Sequence, residues 1–273
     1  MLLNRFYQQY QTKLKTPEEA VKLVKDGDWI DYSSGVGAPY LLDEALAKRK
    51  GELKDVKIRG CLAMRPVQVV EQDREQQSFT YQSWHCSGYE RKLCDEGLCY
   101  YIPMLFRNLA SYYRRYLTVN VAMISVAPMD NAGYFSFSLA NYATRAILDA
   151  ADIIMLEVDE NMPNVYGGME DCIHISEVDV VVEGKHPPLA QLPVPKATEI
   201  DQKIAEQIVP FLKDGATIQL GIGGMPNSVG NLIAESDLKH LGMHTELLSD
   251  GYVDLYEAGK LDNKCKTLHR DKG

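Results

Sequence analysis

The sequence predicts an α/β protein of open, mostly parallel sheets flanked by helices, on three observations. Short apolar runs rich in β-formers alternate with segments whose apolar residues recur at helical spacing, the order from which crossover units build a parallel sheet. Glycine-bearing turns join strand to helix at 33–39 and again at 221–224. The runs at 119–126 and 153–158 are apolar at almost every position, which is how a buried strand reads.

Composition narrows the function classes. With 273 residues, 45% hydrophobic and 25% charged, the chain carries enough apolar material for one large domain or two smaller ones and is ordinary for a globular protein. A net charge of −9 argues against general binding to nucleic acid or to an anionic membrane, so neither is an expected partner. No run of about 18 apolar residues offers a bilayer span, and the start of the chain lacks the apolar core and small-residue cleavage site of a secretory signal. A cytoplasmic protein is expected. The six cysteines include no C-x-x-C pair, and reduced thiols are favoured over a disulfide framework or a metal site.

Taken in order, Thr16-Pro17-Glu18-Glu19 has the form of a capping box with proline at the first helical position, predicting a helix to about Lys25 that stops at Gly27. Residues 29–33 read as a strand, 35–39 as a turn and 41–48 as a helix with Leu42, Ala45 and Leu46 inward. That turn lacks a full G-x-G-x-x-G, so a structural turn is preferred to a dinucleotide site. Strands follow at 56–63, near 78–83 and near 98–102. Between the last two, Trp84-His85-Cys86 sets an imidazole beside a thiol, but catalytic Cys-His partners usually meet through the fold rather than along the chain. Residues 107–116, rich in tyrosine and arginine, are read as a partly exposed helix face. After the strand at 119–126, Asp130-Asn131-Ala132-Gly133 turns the chain into 134–138 and predicts a hairpin. A helix at 142–151 and a strand at 153–158 follow, and Glu157, Asp159 and Glu160 at the strand's end are read as exposed acids rather than acid-base groups. His174, beside a strand at 178–182, stays open between a packed, hydrogen-bonded role and a catalytic one.

The four prolines of 185–196 mark a connector, which divides the chain into domains at 1–190 and 191–273. Beyond it, 201–212 is an amphipathic helix with Ile204, Ile208 and Leu212 on one face, closed by Gly215. A strand at 216–220, the turn Gly221-Ile222-Gly223-Gly224, a helix from Met225 to Glu235 and a strand at 243–248 then form one strand-turn-helix-strand unit. Ligands of open parallel sheets sit beyond the carboxyl ends of the strands, so the glycine turn and Glu246 are candidates to line one cleft. A carboxylate is ionised at neutral pH and attacks an activated acyl group without a partner base. Backbone N–H groups clustered at the glycine turn suit an anion or a developing oxyanion. Together these parts suit acyl transfer through a glutamyl intermediate, although a lone glutamate near a glycine turn is more often a surface acid.

Residues 219–235, QLGIGGMPNSVGNLIAE, with 241–250, LGMHTELLSD, closely resemble the class I coenzyme A transferases, in the branch of butyryl-CoA:acetate and 4-hydroxybutyrate CoA-transferases that is grouped with acetyl-CoA hydrolases. The likeness continues through 20–32, 82–91 (QSWHCSGYER), 126–137 (VAPMDNAGYFSF), 157–163 (EVDENMP) and 173–176. It implies a CoA-transferase (NagB/RpiA-like) architecture, with 1–190 as the N-terminal acetyl-CoA hydrolase/transferase domain and 191–273 as the start of a second α/β domain that is incomplete here. The resemblance also implies that Glu246 is the nucleophile, with Leu247 where the family pattern H-[ST]-E-M has methionine, and that Gly221, Ile222, Gly223, Gly224 and Met225 contact coenzyme A. The implied reaction moves coenzyme A from a short-chain acyl-CoA, such as butyryl-CoA, to acetate through a glutamyl-CoA thioester on Glu246. Coenzyme A is then substrate and covalent intermediate, with no metal and no permanently bound cofactor. Hydrolysis of acetyl-CoA through the same glutamate, and a non-catalytic half that needs a partner chain, are the alternatives. The partners expected by resemblance are an acyl-CoA, a short-chain carboxylate, and a second copy in a homo-oligomer or a missing C-terminal half, with poor activity for this chain alone.

Overall fold

The computed structural model describes residues 2–192 and 196–272, which divide into two units, Met1–Ala190 and Gln191–Gly273. In the first, helices α1 (Leu2–Lys13), α2 (Pro17–Ala20), α3 (Leu41–Ala47), α4 (Gln68–Glu71), α5 (Gly88–Asp95), α6 (Leu109–Arg115) and α7 (Thr144–Ala150) accompany ten strands. These are β1 (Leu14–Lys15), β2 (Trp29–Ser34), β3 (Val56–Cys61), β4 (Phe79–Ser83), β5 (Cys99–Tyr101), β6 (Val119–Val126), β7 (Tyr134–Ser136), β8 (Ala151–Val158), β9 (Cys172–His174) and β10 (Val180–Glu183). Eight of them form one parallel sheet in the order β1-β10-β8-β6-β2-β3-β4-β5, the architecture that the alternating pattern predicts.

The apolar character of β6 follows from cover on both faces. Val121 and Met123 join one core cluster with Leu42, Ala45 and Leu46 of α3, while Ala122 and Ile124 join another with Leu109 and Tyr113 of α6 and Ile147 of α7. Successive side chains point to opposite faces, so every position of a strand sandwiched between helices favours an apolar residue. The strand order reverses between β2 and β6, since β2 leads through α3 to β3 on one side and β6 leads through α7 to β8 on the other. Such a switch point leaves a crevice beyond the carboxyl ends of the strands.

Local signals hold where their partners are local. Thr16 and Glu19 form the expected capping box, although the helix it opens tightens into a 3₁₀ turn at Val21–Leu23. A second box, Ser87 with Glu90, starts α5 where no helix is predicted. The predicted turn forms, with Gly133 N donating to Asp130 O at 3.1 Å, and the chain folds back across it, Asp130 N donating to Tyr134 O at 2.8 Å and Ala127 N to Ser136 O at 3.0 Å, while the ladder that β7 joins is with β9, antiparallel. β8 pairs with β6 as far as Val126, and β7 meets the returning chain just past that end, at Ala127.

The second unit holds α8 (Glu199–Ile208), β11 (Thr217–Ile218), α9 (Gly224–Glu235), β12 (Gly242–Met243) and α10 (Asp250–Glu257), with β11 and β12 parallel. Its core gathers Ala205, Ile218, Leu220, Val229, Ile233, Leu241, Tyr252 and Leu255. The strand expected over 243–248 is shorter than predicted. It ends at Met243, because β11 ends at Ile218 and the glycine turn carries the neighbouring chain away, leaving nothing beyond for a ladder. No helix among the described residues is long and apolar enough to cross a membrane.

Candidate active site

Because β11 and β12 are parallel, the segments that follow them leave from the same end of their ladder. His244 N donates to Ile218 O at 3.1 Å, and Thr245 Oγ1 lies 3.4 Å from Leu220 O and 2.9 Å from Leu247 O. One hydroxyl proton serves either carbonyl, and the residue before Glu246 is thereby tied to the residue before Gly221. Tyr252 of α10 fastens the same strand end, its hydroxyl accepting from Leu220 N at 2.6 Å and donating to Ile218 O at 3.2 Å.

Backbone geometry explains the glycines. Gly223 sits at φ 127°, a conformation that strains any side chain, and a Cβ on Gly224 would lie 3.0 Å from Asp201 Oδ2 and 3.3 Å from Lys196 O. The turn delivers the chain into α9, whose first residues have no side-chain cap. The N–H groups of Gly224 and Met225 therefore stand at the positive end of a 12-residue helix, with no side chain among the described residues of this unit to satisfy them. Gly221, Ile222 and Glu246 are exposed, and Gly223, Gly224 and Met225 are half-buried. Chemically this end of the unit offers an accessible carboxylate on the segment tied to the turn, together with backbone donors suited to an anion.

A second cluster, in the first unit, corrects an expectation. Glu157 and Asp159 are buried rather than exposed. Glu157 accepts from Tyr40 N at 2.8 Å and Leu42 N at 2.9 Å where α3 begins, and from His186 Nε2 at 3.0 Å. Helix N–H groups replace water around the carboxylate, so the end of β8 is no reason for exposure. His186 Nδ1 lies 3.8 Å from Asp159. Burial opposes charge on His186, but the bond to Glu157 and the two carboxylates outweigh it and hold its pKa above the ordinary histidine range. Nearby, Asp43 accepts from Gln68 N at 2.6 Å, Val69 N at 3.3 Å and Tyr32 Oη at 3.1 Å, while burial pushes its carboxyl up to about 7. Sequence reasoning missed His186 because it lies in the proline tract, which carries only a connector signal.

The remaining candidates resolve simply. His174 packs against the rings of Phe6 and Tyr134, at 5.0 and 4.8 Å, with Nδ1 2.8 Å from Ser176 Oγ. His85 is exposed, and the sulfur of Cys86 faces that of Cys94 instead.

Residues 3–193 match the acetyl-CoA hydrolase/transferase N-terminal domain. The chain belongs to this family. Among the acetyl-CoA hydrolase/transferase relatives, the butyryl-CoA:acetate CoA-transferase of Anaerostipes caccae is 48% identical over 267 residues, 97% of this chain and 60% of that protein. The 4-hydroxybutyrate coenzyme A transferase of Clostridium kluyveri is 34% identical across 96% of this chain and 60% of its own length. The crystal structure of RipA from Yersinia pestis superposes with a TM-score of 0.88 at 31% identity, covering 98% of this chain and 64% of that one. The chain thus spans about 60% of the length of the curated relatives it matches.

Proposed function

We propose that this chain carries the nucleophile of a CoA-transferase that moves coenzyme A from a short-chain acyl-CoA, butyryl-CoA or a close analogue, to acetate. The observation that carries the reading is the contact of Thr245 with the Leu220 carbonyl, which ties the Glu246 segment to the start of the glycine turn. Family membership supplies the reaction class, and the two curated relatives named above are transferases.

In the proposed cycle a carboxylate oxygen of Glu246 attacks the thioester carbonyl, giving a mixed anhydride and free CoA thiolate. The thiolate then attacks the glutamyl carbonyl, forming an enzyme-CoA thioester and releasing the first carboxylate. Acetate reverses both steps and leaves as acetyl-CoA. Backbone N–H groups from Gly221 to Met225 hold negative charge on coenzyme A, and the glycines let the ligand approach the main chain closely. The activity is assigned to an assembly in which this chain is joined by the remaining part of such an enzyme or by a second copy, working in the cytoplasm.

Borohydride reduction in the presence of butyryl-CoA, followed by peptide mass mapping, tests the intermediate. A reduced glutamyl thioester at Glu246, absent from Glu246→Ala, is expected. A mark on another residue, or turnover that survives Glu246→Ala, overturns the assignment. Measuring acyl-CoA loss with and without acetate separates transfer, which needs the acceptor, from hydrolysis, which does not.

A further inference from the structure

Three thiols outside that reaction meet at one edge of the eight-stranded sheet. Cys86 follows β4, Cys94 lies in the last turn of α5 and Cys99 opens β5, and their sulfur atoms all lie within 4.8 Å of one another. Cys86 Sγ and Cys94 Sγ are 3.8 Å apart. A tetrahedral thiolate site with metal–sulfur bonds of about 2.3 Å has sulfur–sulfur edges of about 3.8 Å, so this pair already stands at the spacing of two ligands. A disulfide, with its bond of about 2.05 Å, requires a much larger closure and leaves the third thiol without a role.

The surroundings favour a cation. Glu90, fully buried, directs its negative field at Cys86 and Cys99. The hydroxyl of Ser83, also fully buried, lies beside the Cys86 thiol. Cys86 and Cys94 are only half-buried, so an ion and one water can enter from the open side.

We propose that Cys86, Cys94 and Cys99 form a binding site for a thiophilic divalent cation of the zinc class, with three thiolate ligands and one water, which clamps the edge strand β5 to α5. β5 pairs with β4 at three positions and has no strand on its other side among the described residues, so a clamp there stabilises an edge of the sheet.

The test is titration of the reduced, metal-free full chain with cadmium. Thiolate-to-metal charge-transfer absorption saturating at one ion per chain, displaced by zinc, is expected. Cys94→Ser, which changes a half-buried position by a single atom, should weaken binding by at least about tenfold, while Cys172→Ser leaves it unchanged. Zinc should also raise the thermal unfolding midpoint of the parent chain and of Cys172→Ser but not of Cys94→Ser, a comparison made within each folded protein. No uptake at a few equivalents of cadmium, or full uptake by a folded Cys94→Ser chain, overturns the site.

Discussion

Glu246 needs placement more than activation, because a carboxylate is already an anion at neutral pH. In the proposed reaction, Glu246→Asp keeps the charge but withdraws it by one methylene, and a loss of about 10²-fold in kcat is expected. Glu246→Ala removes the attacking atom and should cost at least about 10³-fold, with acyl-CoA binding little changed. Steady-state rates of the active assembly, with substrate binding measured separately, check both. Glu157 poses the opposite problem, a charge whose value is structural. Truncation to alanine strands the N–H groups of Tyr40 and Leu42 and the His186 ring in a dry site. A destabilisation of about 3–5 kcal/mol is expected from urea unfolding, and a cost below about 1 kcal/mol would contradict that role.

Elements are held by bonds that cross between them, and the turn before α9 shows how few such bonds there are. Tyr252→Phe deletes the hydroxyl that serves both Leu220 N and Ile218 O, leaving a buried donor unmatched at the base of the turn. The expected cost is about 1–3 kcal/mol in denaturant unfolding, accompanied by weaker binding of coenzyme A as the glycine turn loosens. In the main sheet, close packing replaces hydrogen bonding as the constraint. A Cβ on Gly60 of β3 would lie 2.2 Å from Tyr81 Oη, the hydroxyl that donates to Glu90 at 2.9 Å. Gly60→Ala should therefore lower stability by about 1–3 kcal/mol, read as a fall in the thermal midpoint, because β3 and β4 are paired and cannot both shift.

At the scale of the molecule, buried titratable groups give stability a direction with pH. Asp43 titrates near 7 when folded, against an ordinary carboxyl value of about 3.9, so its contribution is full below about pH 4 and is lost as pH rises through about 7. His186, raised above its ordinary value of about 6.5, contributes fully below that value and loses its contribution as pH climbs through the folded one. Both act in the same sense, so the midpoint of urea unfolding should be lower at about pH 8 than at about pH 6, and a flat or rising profile would contradict the two assignments. Much of this architecture was legible in advance. Periodicity, capping boxes and glycine turns are signals carried by neighbours in sequence, and they identified the parallel α/β class, the strands β2, β3, β6 and β8, the helices α3 and α9, and Glu246 as the residue to explain. The partner of β7, the burial of Glu157 against His186 and the meeting of Cys86, Cys94 and Cys99 were decided only by tertiary structure. Each depends on which residues distant in sequence arrive at the same place, and that is not encoded in any local stretch of the chain.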